Sequence, residues 1–142
     1  MPYDEEDPAY REPDPELDEL TGAIIGAGIE VHKRLGSGLD EALYRAAMCR
    51  ELALRGIAFA CEVVVDVEYK GEVIGKKRID LIVAGRVVVE LKAVEALAPV
   101  HSAQVRTYLK LTNLLIGLLM NFNTIILKDG IKRIINPSAF PS

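Results

Sequence analysis

A chain of 142 residues, half of them hydrophobic and few aromatic, has the size and composition of one soluble α/β domain able to bury its own core. Its apolar runs are too short for a bilayer, no basic-then-apolar signal opens it, and Cys49 and Cys61 lack metal-ligand spacing, so the expectation is a cytoplasmic protein with reduced core thiols rather than a membrane, secreted or zinc-bound one. The net charge of -4 divides unevenly: residues 1–20 hold nine acids against Arg11, a net of -8, and the remaining 12 acids and 16 bases leave +4 on the rest.

The acidic, proline-containing stretch 1–19 reads as a disordered leader, followed by a domain over 20–136 and a short tail over 137–142. The first helix is expected from about Leu20 to Leu35, capped by Asp18 or Thr21, with Ile24, Ala27, Val31 and Leu35 as its apolar stripe. Gly36-Ser37-Gly38 breaks it. A second helix runs from about Leu39 to Arg55, with Asp40 and Glu41 in its first turn, and Gly56 ends it. From Phe59 to Tyr69, Val63, Val65 and Val67 alternate with acids, the pattern of a strand with one wet face.

Lys70-Gly71 marks a turn. Two strands follow, about Lys77–Val83 and Val87–Lys92, apolar on both faces as central strands are. Pro99 opens a third helix to about Thr112, Leu114–Met120 reads as a buried strand, and a final hairpin pairs Ile125–Leu127 with Ile131–Ile135 across Asp129-Gly130. The expected order is ααβββαβββ, a mixed sheet flanked by helices.

Chemistry concentrates in residues 79–93, IDLIVAGRVVVELKA. Asp80 interrupts one apolar strand; Glu90 and Lys92 interrupt its neighbour and share a face, because strand side chains alternate. Gly85 lies midway between Asp80 and Glu90, so a three-residue loop Ala84-Gly85-Arg86 sets the two acids opposite each other, whereas a two-residue loop puts them on different faces. Carboxylates that converge inside an apolar sheet need compensation. A cross-strand salt bridge to Lys92 is one answer. A divalent cation held by Asp80, Glu90 and the Leu91 carbonyl is the better one between central strands, and oxygen donors suit Mg²⁺ or Mn²⁺.

Asp80 followed by Glu90-Leu91-Lys92 resembles the PD-(D/E)xK nuclease signature, with Ile79 in place of the usual proline. Gly38, Glu41 and Tyr44 in GLDEALY match the motif that names the GxxExxY proteins, a branch of that superfamily. Residues 101–134 look like that family's C-terminal half, and Gln104 with Tyr108 matches the QxxxY motif of RecB-type exonucleases. The resemblance implies a restriction-endonuclease-like fold and catalytic Asp80, Glu90 and Lys92. It also implies Glu41 as a third metal carboxylate, and Gln104 and Tyr108 as residues that position substrate or the lysine.

Read from the residues alone, Glu41 is either a first-turn acid favoured by the helix dipole or an inward ligand. Tyr44 reads as core with its hydroxyl satisfied. Gln104 and Tyr108 share a helix face with His101, a polar face that can hydrogen-bond phosphate or a base edge. Some RecB-type relatives use an N-terminal helical histidine as a ligand, but Glu41 takes that role here and His32 is expected to be structural. Lys76, Lys77 and Arg78 read as a solvated charge run before phosphate contacts.

The function expected is Mg²⁺- or Mn²⁺-dependent hydrolysis of DNA by a metal-activated water. The alternative is a catalytically silent nucleic-acid-binding or assembly module of the same fold. The chain has no P-loop, so processivity would come from a homodimer or a larger protein complex.

Overall fold

The computed structural model describes residues 15–139. Helix α1, Pro15–Leu35, begins five residues before the expected Leu20. Proline suits a first helical position, Glu16 and Asp18 sit where acids complement the helix dipole, and Leu17 already belongs to the buried stripe with Ile24, Ala27 and Val31. Thr21 is therefore inside the helix rather than capping it. Its hydroxyl donates to the Asp18 carbonyl at 2.9 Å, and both residues are tied to Arg133 from the far end of the chain. The leader expected over 1–19 lies, apart from this first helical turn, outside the described residues.

Helix α2 spans Glu41–Leu54, with Asp40 as its cap instead of part of its first turn; the Asp40 carboxylate accepts the Leu43 N–H at 3.0 Å. The linker between the helices is fastened by Tyr44. Its hydroxyl donates to the Gly36 carbonyl at 2.6 Å and accepts the Leu39 N–H at 3.2 Å, while its ring stacks on Phe122. Gly38, with φ at +108°, supplies a backbone conformation that a side chain would oppose. Gly38 and Tyr44 thus have a structural explanation as a fastened turn.

Five strands form one sheet in sequence order: β1 Phe59–Tyr69, β2 Glu72–Val83, β3 Val87–Lys92, β4 Ile116–Asn121 and β5 Ile131–Ile135. All neighbours are antiparallel except β3 and β4, which run parallel and are joined by helix α3, Pro99–Thr112. β3 and β4 lie almost wholly buried between α1 and α2 on one face and α3 on the other. The fold is the expected mixed sheet flanked by helices.

The strand expected over Ile125–Leu127 does not form. Residues 125–127 form no hairpin arm; Leu127–Gly130 is a single 3₁₀ turn that drops Leu127 into the core and leaves Ile125 96% exposed. Ile125 and Ile126 both face solvent, and the chain just before them is held by Asn121, whose carbonyl accepts from the Thr124 hydroxyl and whose side chain accepts the Asn123 N–H. The cysteines are free thiols, but Cys61 on β1 is exposed rather than core, and Cys49 of α2 lies half-buried beside it.

α3 approaches β4 over Gly117, where a Cβ would stand 2.6 Å from Val105 Cγ1. Val105 is branched and buried, so the helix itself must move to admit a methyl group. Gly117→Ala is expected to lower stability by about 1–3 kcal/mol, seen as a lower urea midpoint at an unchanged slope.

Candidate active site

The β2–β3 hairpin has the register that brings the acids together. Leu81, Ile82 and Val83 pair with Val89, Val88 and Val87, so the hairpin centres on Gly85, and Ala84 and Gly85 both take positive φ in the three-residue loop. Pairing stops at Leu81 and Val89. Beyond that point β2 turns over: Leu81 and Val83 pack toward α1 and α2, whereas Ile79 joins the core under α3. Asp80 occupies the turnover. On the β1 side, regular pairing skips Asp80 and its would-be partner Glu62, which adopts φ of +49°.

The separation of the strands removes the main-chain acceptor opposite Leu91. Asp80 replaces it: Oδ2 accepts the Leu91 N–H at 2.8 Å, and in return the Asp80 N–H donates to Glu90 Oε1 at 3.3 Å. These reciprocal bonds fix both carboxylates at one level of the sheet. Lys92 Nζ stands 3.6 Å from Glu90 Oε2 on the α3 face, and Arg45 Nη1 of α2 donates to Asp80 Oδ1 at 3.1 Å. Main-chain groups alternate along a strand, and the Lys92 carbonyl faces β4 by accepting from Phe122; the Leu91 carbonyl therefore faces the gap beside Asp80.

Glu90 is only 5% exposed. Burial, and then the negative charge of Asp80, pushes its carboxyl up to about 8, against partial relief from the Asp80 N–H and Lys92. Tyr108 of α3 responds to the same charge. Its phenol is raised by burial first and by Glu90 next, and the hydrogen bond with Gln104 opposes the shift.

Gln104 and Tyr108 share an open cleft of about 400 Å³ with Lys77, Lys92, His101 and Thr107. Of the three clustered bases, Lys77 faces this cleft, while Lys76 pairs with Asp66 and Arg78 with Glu62. His101 is half committed to structure: Ala98 has no capping side chain, and His101 Nδ1 accepts its N–H at 2.9 Å.

Glu41 heads α2 half-buried, outside the carboxylate pair. Among the described residues no three His, Cys, Asp or Glu side chains form a metal-sized cluster. Arg45, one helical turn further on, reaches Asp80 instead. His32 is engaged within the fold: Nε2 donates to the Thr124 carbonyl at 2.9 Å beside Phe122. Arg45 and Glu62 are the site neighbours that sequence reasoning missed. Arg45 carried a signal, since a base four residues from Glu41 and three from Met48 lies on the buried side of α2; Glu62 read as one of several acids on a wet face.

A model of the PD-(D/E)XK nuclease superfamily matches residues 18–134, from α1 through β5. The chain belongs to that superfamily. Among solved structures, this PD-(D/E)XK protein is similar to one described as the crystal structure of SSO0001, at 17% identity and a TM-score of 0.43, over 83% of this chain and 78% of that one. No curated protein matches it. Among the described residues no helix is long and apolar enough to cross a membrane.

The raised Glu90 carboxyl has a consequence for stability. The folded protein keeps this proton up to about pH 8, whereas an unfolded chain releases it near the ordinary 4.5. Between those values the folded state binds more protons, so stability falls as pH rises. In EDTA, the thermal midpoint of the wild type is expected to decline from about pH 5 to about pH 8, and Glu90→Gln to flatten that decline. A midpoint equally steep in both proteins would contradict the assignment.

Proposed function

We propose that this PD-(D/E)XK protein is a Mg²⁺- or Mn²⁺-dependent nuclease acting on DNA, of the GxxExxY type and RecB-like branch, with Asp80, Glu90 and Lys92 as its catalytic residues. The observation that carries the reading is the locked pair itself. The Asp80 N–H holds the Glu90 carboxylate and the Leu91 N–H holds the Asp80 carboxylate, beside an amine that opens onto a basic cleft.

The donor set fits a hard divalent cation. Asp80, Glu90 and the Leu91 carbonyl offer only oxygen. Burial, and then the charge of Asp80, holds the Glu90 carboxyl above its ordinary range, and a bound cation would offset both. When bound, the cation would supply a Lewis acid that makes water a better nucleophile and offsets charge on the phosphate.

The chain's own residues do the rest. Lys92, on the cleft wall beside Glu90, orients the attacking water or neutralises charge that develops on the phosphate oxygens. Attack by water at phosphorus breaks the bond to the 3′ oxygen, which takes up a proton, and leaves a 5′-phosphate. Gln104 and His101 hold the backbone or a base edge, with Lys77 and Thr107 beside them, and Tyr108 keeps Gln104 and Glu90 in register. Glu41 enters as a third acid only by a side-chain movement from its place at the head of α2.

One observation favours the alternative of a silent nucleic-acid-binding module: Arg45 and Lys92 already balance the two acids. The two readings separate in one experiment. Single- and double-stranded DNA and RNA are incubated with Mg²⁺ or Mn²⁺, and binding is measured in parallel. The nuclease reading expects cleavage that EDTA abolishes and that Lys92→Ala and Asp80→Asn each reduce by at least about 10²-fold, with nucleic-acid affinity changed far less. Tight binding that ignores the cation, with no cleavage of any substrate, would instead identify the module.

A further inference from the structure

Arg45 makes a second contact that the catalytic reading leaves unused. Its Nη1 lies 3.1 Å from Asp80 Oδ1, and its Nη2 lies 3.4 Å from Glu62 Oε1. One guanidinium thus spans two carboxylates on adjacent strands. Asp80 is the well-buried partner and Glu62 the half-exposed one, while the Arg45 side chain keeps 25% of its surface exposed and has room to pivot. Glu62 holds its position through the irregular backbone opposite Asp80, and Arg78 reaches the same Oε1 at 3.5 Å.

We propose that Arg45 is the resident counter-cation of the acid pair: it occupies Asp80 in the cation-free protein and shifts onto Glu62 when a divalent cation takes Asp80, so that Arg45 and Glu62 together set metal affinity. The proposal rests on the cation site argued above. Its physical basis is charge balance. Asp80 and Glu90 carry at most two negative charges, and Arg45 and Lys92 supply two positive ones. A divalent ion added to that set without a compensating movement meets a guanidinium on the oxygen it needs, and like charges at such range in a half-buried site repel. Glu62 offers the guanidinium an acceptor it already touches, at the cost of rotating about the side chain rather than moving α2. Arg45 is a positioning residue in this account, since it acts through Asp80.

Glu62 and Arg45 are predicted to have opposite effects, which a merely structural pair would not. Mn²⁺ binding to the nucleic-acid-free full chain is measured from loss of the free-ion electron paramagnetic resonance signal, with thermal midpoints as the folding control. Arg45→Met should tighten the dissociation constant roughly ten-fold, because Asp80 loses its competitor. Glu62→Gln should weaken it by about three-fold or more, because the guanidinium loses its alternative acceptor. The double variant should behave like Arg45→Met, a non-additivity expected only of coupled residues. Arg45→Lys, which keeps a cation, should stay close to wild type if Arg45→Met folds poorly.

Unchanged or weaker binding in Arg45→Met, or a shift of both single variants in the same direction, overturns the proposal. The failure of the underlying reading looks different. If wild type and Arg45→Met both leave Mn²⁺ free, there is no cation site and both ideas fall. If wild type binds, Asp80→Asn abolishes binding and Arg45→Met changes nothing, the cation site stands and only the exchange is lost.

Discussion

The Asp80 carboxylate that accepts the Leu91 N–H sets the arrangement of everything around it. A buried main-chain donor must be paired, and β3 loses its partner where β2 turns over. An apolar residue at position 80 would leave the Leu91 N–H bare, a defect of about 1–3 kcal/mol. Aspartate repairs it with one oxygen and keeps the other for Arg45. The same break frees the Asp80 N–H to hold Glu90. The irregularity in the ladder and the concentration of acids are therefore one feature: the sheet opens where the side chains can fill it.

This constraint explains how the layers divide their work. The α1–α2 face below the turnover is packed with Leu81, Val83, Val89 and Leu91, and contributes Arg45 to the acids. The α3 face carries Glu90, Lys92 and the cleft, and α3 comes close enough to serve it because Gly117 has no side chain. Tyr108 links the two functions of that helix. It is buried among Val88, Val105 and Leu119, yet its phenol feels the charge of Glu90 and shares the cleft with Gln104. A helix docked by apolar packing thereby fixes polar groups beside the carboxylates.

Much of this could be read from the residues. Alternation placed Glu90 and Lys92 on one face, and the glycine midway between Asp80 and Glu90 specified a three-residue loop and hence the register; both follow from the period of a strand. α3 and its opening proline were equally plain. What escaped had competing physics. Pro15–Glu19 read as leader because its acids outweigh one buried leucine in composition, although first-turn acids favour a helix. The run over Ile125–Leu127 has strand-forming residues, but local bonds from Asn121 to Asn123 and Thr124, with His32 on the Thr124 carbonyl, turn the chain just before it. Glu41 had the spacing of an inward residue. Spacing says which face a side chain leaves from and not how far it reaches, and the longer Arg45 arrived at Asp80 from the next turn.

Arg45 also alters how the acids should be regarded. Two carboxylates in a dry sheet can be relieved in three ways: by a proton, by a fixed basic side chain or by a mobile cation. Asp80 takes the second in Arg45, while Glu90, with Lys92 only at 3.6 Å and burial dominating, leans to the first. The site is thus stable when closed on itself, and each of its internal remedies is weak enough to be exchanged: a proton leaves as pH rises, and a guanidinium shared with Glu62 pivots. A fully ion-paired, fully hydrogen-bonded cluster would be a structural element and nothing more. Here the compensation is incomplete on Glu90 and divided on Asp80, and an acid pair in that condition retains the oxygen valency that a hard cation needs.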